Sequence, residues 1–183
     1  MPDLNNYLFD SLNKEQLKAV THFNGPLLVV AGAGSGKTKA LTHRIANLIE
    51  NKGISTFNIL AVTFTNKAAK EMKERLEIIL AKNLAMDVFG QPWSTLNEYH
   101  QNQLRGDIHQ GKIQDLWIGT FHSLFSRLLR FDIEKYKDPE GLTWNRQFSI
   151  YDETDSQTLI KEIISQDMRL DPKKYNPKKI KFA

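Results

Sequence analysis

The run Ala31-Gly32-Ala33-Gly34-Ser35-Gly36-Lys37-Thr38 has the residue types needed to hold a polyphosphate. Glycines let the backbone curl so that successive N–H groups point inward, and a helix opening after Gly36 adds partial positive charge. Lys37 is placed to meet the β- and γ-phosphates and Thr38 to hold Mg²⁺. An apolar run before the loop and a helix after it form the context in which such a Walker A loop is believable. Ala31 stands where the commonest pattern has Gly. A second chemical cluster is Asp152-Glu153-Thr154-Asp155, which offers one carboxylate for Mg²⁺ and one to orient an attacking water. The same cluster also reads as a helix cap, with Thr154-Asp155-Ser156-Gln157 as a capping box. Asn66-Lys67-Ala68-Ala69 begins like the Asn-Lys-x-Asp guanine reader, but Ala69 occupies the position of the required Asp, which argues against a GTPase.

The elements that must position these residues follow from apolar spacing. Residues 12–20 predict a short amphipathic helix that Asn13 caps, stopped by Gly25-Pro26. Leu27 to Ala31 is a continuous apolar run, as expected of a strand buried on both faces of a parallel sheet. Residues 36–51 predict a helix ended by Gly53. A second strand is expected over 58–63 and a second core helix over 66–82, then a strand over 117–119 feeding a helix over 121–131. A fourth strand is expected over 148–151, feeding a helix over 155–166. Alternation of this kind predicts an α/β fold with a mainly parallel sheet, whose ligands gather at the carboxyl ends of the strands. Residues 83–115 are polar and weakly periodic, and read as an insertion with some helix.

Four segments together resemble the UvrD/Rep/PcrA-like superfamily 1 DNA helicases. Leu12-Asn13-Lys14-Glu15-Gln16 looks like their Q motif, and Ala31 to Thr38 like their form of Walker A, Ala31 included. Ala61 to Met72 looks like motif Ia, and Ile118 to Leu124 like motif Ib. The resemblance covers about Leu12 to Arg130 and implies a RecA-like P-loop fold and an ATP-driven motor on single-stranded DNA. By it, Gln16 reads the adenine edge and Arg44 stacks on the base. Ala31, Gly32, Ala33, Gly34, Ser35, Gly36, Lys37 and Thr38 hold the phosphates of Mg·ATP. Thr63, Phe64, Thr65 and Asn66, and again Thr120, Phe121, His122 and Ser123, would contact DNA through hydroxyls, backbone N–H groups and aromatic faces. Taken singly, each of these two clusters also reads as a helix cap beside a core aromatic.

In that family Walker B usually continues Asp-Glu-x-Gln-Asp, and a similar Asp-Glu segment precedes it, leading into subdomain 1B. The resemblance therefore assigns residues 1–155 to the N-terminal part of subdomain 1A and 156–183 to the helical start of 1B. Walker B, the arginine finger and the second RecA-like domain would lie beyond Ala183, so the chain alone should bind ATP weakly and turn it over poorly. Single-stranded DNA, duplex junctions and the rest of the helicase are the expected partners, and unpaired sheet edges would favour self-association. A rival reading is a complete small P-loop ATPase with Asp152-Glu153 as its Walker B and a regulatory binding role; a nucleotide-independent α/β module is a third.

Composition sets bounds on these readings. The 183 residues contain no Cys, which excludes disulfides, thiolate metal sites and cysteine nucleophiles. No apolar run approaches the roughly 18 residues that span a bilayer, and the first thirteen residues lack a signal-peptide pattern, so the chain reads as cytoplasmic. His22, His43, His100 and His109 have no partners at metal-ligand spacing. The net charge of +4 suits a nucleic-acid partner. Its distribution qualifies that, since six basic residues against Asp171 after Met168 leave residues 1–168 at −1.

Overall fold

The computed structural model describes residues 8–177 and Ile180. These form two compact units, one running through Arg127 and the other starting at Leu128.

The first unit opens with α1 (Lys14–Thr21) and α2 (Lys37–Glu50). It continues through β1 (Leu60–Thr63), α3 (Asn66–Phe89), α4 (Glu98–Ile108), β2 (Trp117–Thr120) and the start of α5 (Phe121–Asp132). Strands β1 and β2 pair in parallel, in the register Leu60↔Trp117 to Thr63↔Thr120. The chain between two parallel strands must cross over, and α3 and α4 make that crossover. Ile59 just before β1, Ala61 within it and Ile118 from β2 meet Ile45 and Ala46 of α2 and Leu76 and Leu80 of α3 in one buried core.

Two expected strands do not form. Leu27–Ala31 belongs to no ladder, and Leu28 and Val30 are 86% and 88% exposed. An apolar run becomes a strand only when neighbouring strands take its N–H and C=O groups, and the only named sheet among the described residues consists of β1 and β2. Phe148–Tyr151 is likewise irregular, with Ile150 and Tyr151 exposed. The sheet that exists is parallel, as expected, but it has two strands.

The polar segment 83–115 is more ordered than its composition suggested. Helix α3 runs seven residues past the expected end, to Phe89, and Gly90, with φ 61°, closes it in the left-handed conformation. Leu96, Leu104, Ile108 and Ile113 then join the same core as α2 and α3. Glu77 of α3 is buried and satisfied by two partners from this segment, Arg105 Nε at 2.7 Å and His109 Nδ1 at 3.1 Å. A π-helical turn over His109–Ile113 brings His109 into that contact.

The second unit holds the rest of α5, an isolated antiparallel bridge between Lys137 and Thr143, and α6 (Glu153–Glu162), extended by a π-helical turn to Asp167. Arg130 lies over the Phe148 ring at 4.9 Å, and Arg146 pairs with Glu134 at 3.3 Å. Among the described residues no helix is long and apolar enough to cross a membrane.

Candidate nucleotide and nucleic-acid site

The phosphate-loop segment curls where the glycines allow it. Gly34 and Gly36 have φ of 75° and 83°, and Gly36 caps α2 without any side-chain hydrogen bond, so the first N–H groups of α2 have no side-chain cap. Ser35 Oγ donates to the Gly32 carbonyl at 2.8 Å. Lys37 folds back over the loop, donating from Nζ to the carbonyls of Ala31 at 2.8 Å and Gly32 at 2.6 Å. Ala33, Gly34, Ser35 and Thr38 are exposed. The Thr38 carbonyl is taken by Thr42 Oγ1 at 3.0 Å.

Helix α1 sets Gln16 against this loop. Asn13 and Gln16 form a capping box: Gln16 N–H donates to Asn13 Oδ1 at 2.8 Å, and Asn13 N–H to Gln16 Oε1 at 3.2 Å. The Gln16 amide then donates from Nε2 to the Ser35 carbonyl at 3.1 Å. A primary amide has two donor hydrogens and two acceptor lone pairs, so these bonds fix which end is oxygen and leave one donor and one acceptor unused. A Cβ on Gly36 would lie 2.6 Å from Gln16 Nε2 and push that amide aside, and the φ of 83° would strain any other residue there.

Two adjoining clefts flank this contact. One, of ≈ 200 Å³, is lined by Gln16, Val30, Ser35, Gly36 and Lys37 among others; the second, of ≈ 330 Å³, by Leu27, Leu41 and Arg44. Ala19, Val29, Lys37 and Ala40 line both. Arg44 donates from Nη1 to the carbonyls of Ala19, at 2.7 Å, and His22, which fixes the guanidinium at the end of α1. Asn47, one helical turn on, donates to the Val20 carbonyl at 3.1 Å. Sequence reasoning did not single out Asn47; its spacing of three from Arg44 on one helix face was the available signal.

The two segments expected to contact DNA lie side by side at the carboxyl ends of β1 and β2. Thr63 and Thr120 are register partners, and Thr120 Oγ1 lies 3.5 Å from Asn66 Oδ1. Thr65 caps α3 by accepting from Ala68 N–H at 3.1 Å, and Thr120 accepts from Ser123 N–H at 3.3 Å. Thr63 is buried and donates to the Thr65 carbonyl at 3.0 Å. The caps form as read, but the aromatics beside them are not core residues: Phe64 is 95% and Phe121 49% exposed, His122 is exposed, and the Phe121 and Phe125 rings pair at 5.9 Å. Gly119 belongs to the same construction, because a Cβ there would meet Ser123 Oγ at 2.5 Å.

Asp152 is not at a strand end. It is the N-cap of α6, in a capping box with Asp155: Asp155 N–H donates to Asp152 Oδ1 at 2.8 Å, and Asp152 N–H to Asp155 Oδ2 at 3.1 Å. The cap sits two residues earlier than the Thr154 position read from the sequence. Glu153 Oε1 accepts from Gln157 Nε2 at 2.7 Å. Among the described residues no group of three or more His, Cys, Asp or Glu could hold a metal ion. A single hydroxyl such as that of Thr38 suits Mg²⁺, which keeps most of its ligands from water and substrate phosphates.

The model of the UvrD/REP helicase N-terminal domain matches residues 12–183, beginning at the segment that carries Asn13 and Gln16. The chain belongs to the UvrD/REP helicase family. It is 43% identical over 177 residues to the ATP-dependent DNA helicase PcrA of Bacillus subtilis (strain 168), a match covering 97% of this chain and 19% of that protein. It is 39% identical over 173 residues to the protein of the same name from Staphylococcus aureus (strain Mu50 / ATCC 700699), covering 94% of this chain and 19% of the relative. The chain thus spans about a fifth of the length of these curated relatives. The UvrD/REP match takes in the phosphate loop, both strand-end segments and the second unit.

Proposed function

We propose that this chain is the N-terminal, ATP-binding part of an ATP-dependent DNA helicase that moves along single-stranded DNA and unwinds duplex, in DNA repair or replication. The observation that carries this reading is the Gln16–Ser35 contact, which joins a base-reading amide to a phosphate loop at the head of one helix. The names of the PcrA relatives support it. In this reading the 1–155 part is a RecA-like subdomain and 156–183 opens a second, helical one.

The unused donor and acceptor of the Gln16 amide complement adenine, which presents an N6–H donor beside the N7 acceptor; guanine presents two acceptors at the same edge. Arg44 lines the adjoining cleft with its guanidinium already anchored, as a platform for the base. Lys37 exchanges two backbone carbonyls for the β- and γ-phosphates, a stronger bond because the acceptor is charged. The loop N–H groups and the start of α2 take the remaining phosphate oxygens. Mg²⁺ held at Thr38 would neutralise charge on the phosphates.

The DNA face is the ridge made by Phe64, Thr65, Asn66, Thr120, Phe121, His122 and Ser123. Hydroxyls and N–H groups suit backbone phosphates, and Phe64 gives a base a flat surface to stack on. Phe64→Ala is expected to weaken single-stranded DNA binding by about 1–3 kcal/mol, roughly five- to hundredfold, with little sequence dependence and no change in ATP affinity. Fluorescence anisotropy with a labelled oligonucleotide checks it.

Among the described residues no carboxylate stands at the carboxyl end of β1 or β2, and Asp152 is engaged in a helix cap. We therefore place the groups that activate water and sense the γ-phosphate outside these residues, on the second RecA-like domain and the remainder of the first. The rival reading, with Asp152-Glu153 as a working Walker B, is not favoured. Glu153→Gln should leave the chain's slow ATP hydrolysis unchanged in a steady-state phosphate-release assay; near-total loss with ATP binding kept would restore the rival.

A further inference from the structure

The last C=O groups of an α-helix have no partner within it, and α1 hands most of its own to side chains of α2. The Lys18 carbonyl accepts from the His22 N–H at 3.0 Å, within the cap itself. The Ala19 and His22 carbonyls accept from Arg44 Nη1. Between them, the Val20 carbonyl accepts from Asn47 Nδ2 at 3.1 Å. Asn47 is 4% and Val20 1% exposed, so bulk water does not reach this bond.

The Asn47 amide has only one workable orientation. A carbonyl accepts and cannot donate, so the end facing Val20 is Nδ2, and Oδ1 accepts from Asn51 Nδ2 at 2.8 Å, at the C-cap of α2. At the entry of α1, Lys39 of α2 donates to the Ser11 carbonyl, two residues before the cap Asn13. Helix α1 is thus tied at its entry, at Gln16 and at its exit. Gln16 and Val20 lie about one helical turn apart, roughly 6 Å along the axis, so one hydrogen-bonded turn carries a shift at the exit to the amide. Asn47 itself lines neither the cleft beside Gln16 nor the one beside Arg44.

We propose that Asn47 is a positioning residue for selection of the nucleotide base. By holding the Val20 carbonyl it sets the last turn of α1, and through that turn the Gln16 amide and the Arg44 guanidinium, without touching the nucleotide. The role presupposes that those two groups meet adenine, as proposed above. Without the Asn47 donor a buried carbonyl stands unpaired, and α1 relieves that cost by turning. The donor beside it, Arg44, already serves the carbonyls on either side. The amide and the guanidinium then meet the base out of place, while the phosphate loop is untouched.

The test compares affinities for ATP, GTP and inorganic triphosphate by calorimetric titration in the unaltered chain and in Gln16→Ala, Asn47→Leu, Asn51→Ala and Ile45→Val. Asn47→Leu keeps the volume and removes the donor; the preference for ATP over GTP should fall about fivefold, the worth of one amide hydrogen bond, with triphosphate affinity kept within about twofold. Asn51→Ala changes an exposed residue and frees the Asn47 amide to turn. There the preference should fall about threefold, nearer the low end of the same range. If Asn47→Leu fails to fold, Asn51→Ala decides by the same measure. Ile45→Val trims a buried side chain on the same helix and should lower the thermal midpoint with the preference unchanged, which separates positioning from loss of stability. A preference lost in Gln16→Ala but intact in Asn47→Leu and Asn51→Ala would overturn the role of Asn47 alone. A preference lost as fully in Ile45→Val would overturn it as well, since any loosening of α2 would then suffice. No preference in the unaltered chain would overturn base reading by Gln16 and this role together.

Discussion

Lys37→Ala is expected to abolish most of the chain's ATP affinity while leaving its fold intact. The Lys37 ammonium donates to two carbonyls of its own loop, and both loop residues stand near the surface. Water replaces those bonds at little cost once the side chain is removed, so the thermal midpoint should move by no more than about 2 °C. The bonds lost with ATP present are of another kind, since each joins an ammonium to a phosphate oxygen. A charged hydrogen bond of this type is worth about 1.5–3 kcal/mol, and a net loss of one, after the carbonyl bonds given up on binding, predicts a fall of roughly ten- to hundredfold in affinity. Calorimetric titration with ATP checks the affinity, and a thermal melt without nucleotide checks the fold.

Gly36→Ala should do comparable damage by a different route. The residue has φ 83° and ψ 26°, a left-handed conformation that costs an L-residue about 1–2 kcal/mol. The new methyl would also stand 2.6 Å from Gln16 Nε2, so the amide must leave the Ser35 carbonyl. The capping box ties Gln16 Oε1 to Asn13 N–H, and displacement of the amide therefore loosens the first turn of α1 as well. We expect ATP affinity to fall about tenfold or more from the strain alone. Preference for the adenine base should fall with it, because the reading amide is no longer held. Adding Gln16→Ala to Gly36→Ala should cost little further, since the first change has already displaced the side chain, and a double-mutant cycle measures that coupling.

These effects rest on parts of the molecule that the sequence made legible to different degrees. Short-range chemistry was readable. Asn13 as the cap of α1, the glycines of the loop, and helices opening at Lys37 and Asn66 follow from residues within four positions of each other, and the structure has them there. The strands over 60–63 and 117–120 were also readable, because each is followed at once by the cap of the next helix. Leu27–Ala31 was not. An unbroken apolar run shows that a segment would gain from burial, but strand formation depends on partners elsewhere in the chain, and none of the described residues pairs with it.

The 83–115 segment, expected as an insertion with some helix, holds more ordered structure than that. Its Gln and Asn content hides the pattern: Ala85 continues the α3 face begun by Leu76, Leu80 and Ala81, and Leu96, Leu104, Ile108 and Ile113 are buried beyond it. At the candidate site the missing information was tertiary. The sequence names Gln16 and Ser35 separately; only the fold places the amide on the carbonyl and so fixes which way round the amide points. The same holds for the motif Ia and Ib segments. Their cap residues were visible one at a time, whereas the pairing of Thr63 with Thr120 that turns two caps into one ridge comes from sheet register.

In the proposed function a Gln16 amide oriented by Asn13 and Ser35 reads adenine beside a phosphate loop. The most direct measurement is the ratio of ATP to GTP affinity for the chain before and after Gln16→Ala. One misplaced donor–acceptor pair costs about 1–3 kcal/mol, so ATP should be preferred by roughly tenfold or more. In Gln16→Ala that preference should fall close to unity while GTP affinity, which rests on the phosphates, stays within about twofold. Equal binding of ATP and GTP to the unaltered chain, or a preference for ATP that survives the substitution, would contradict it.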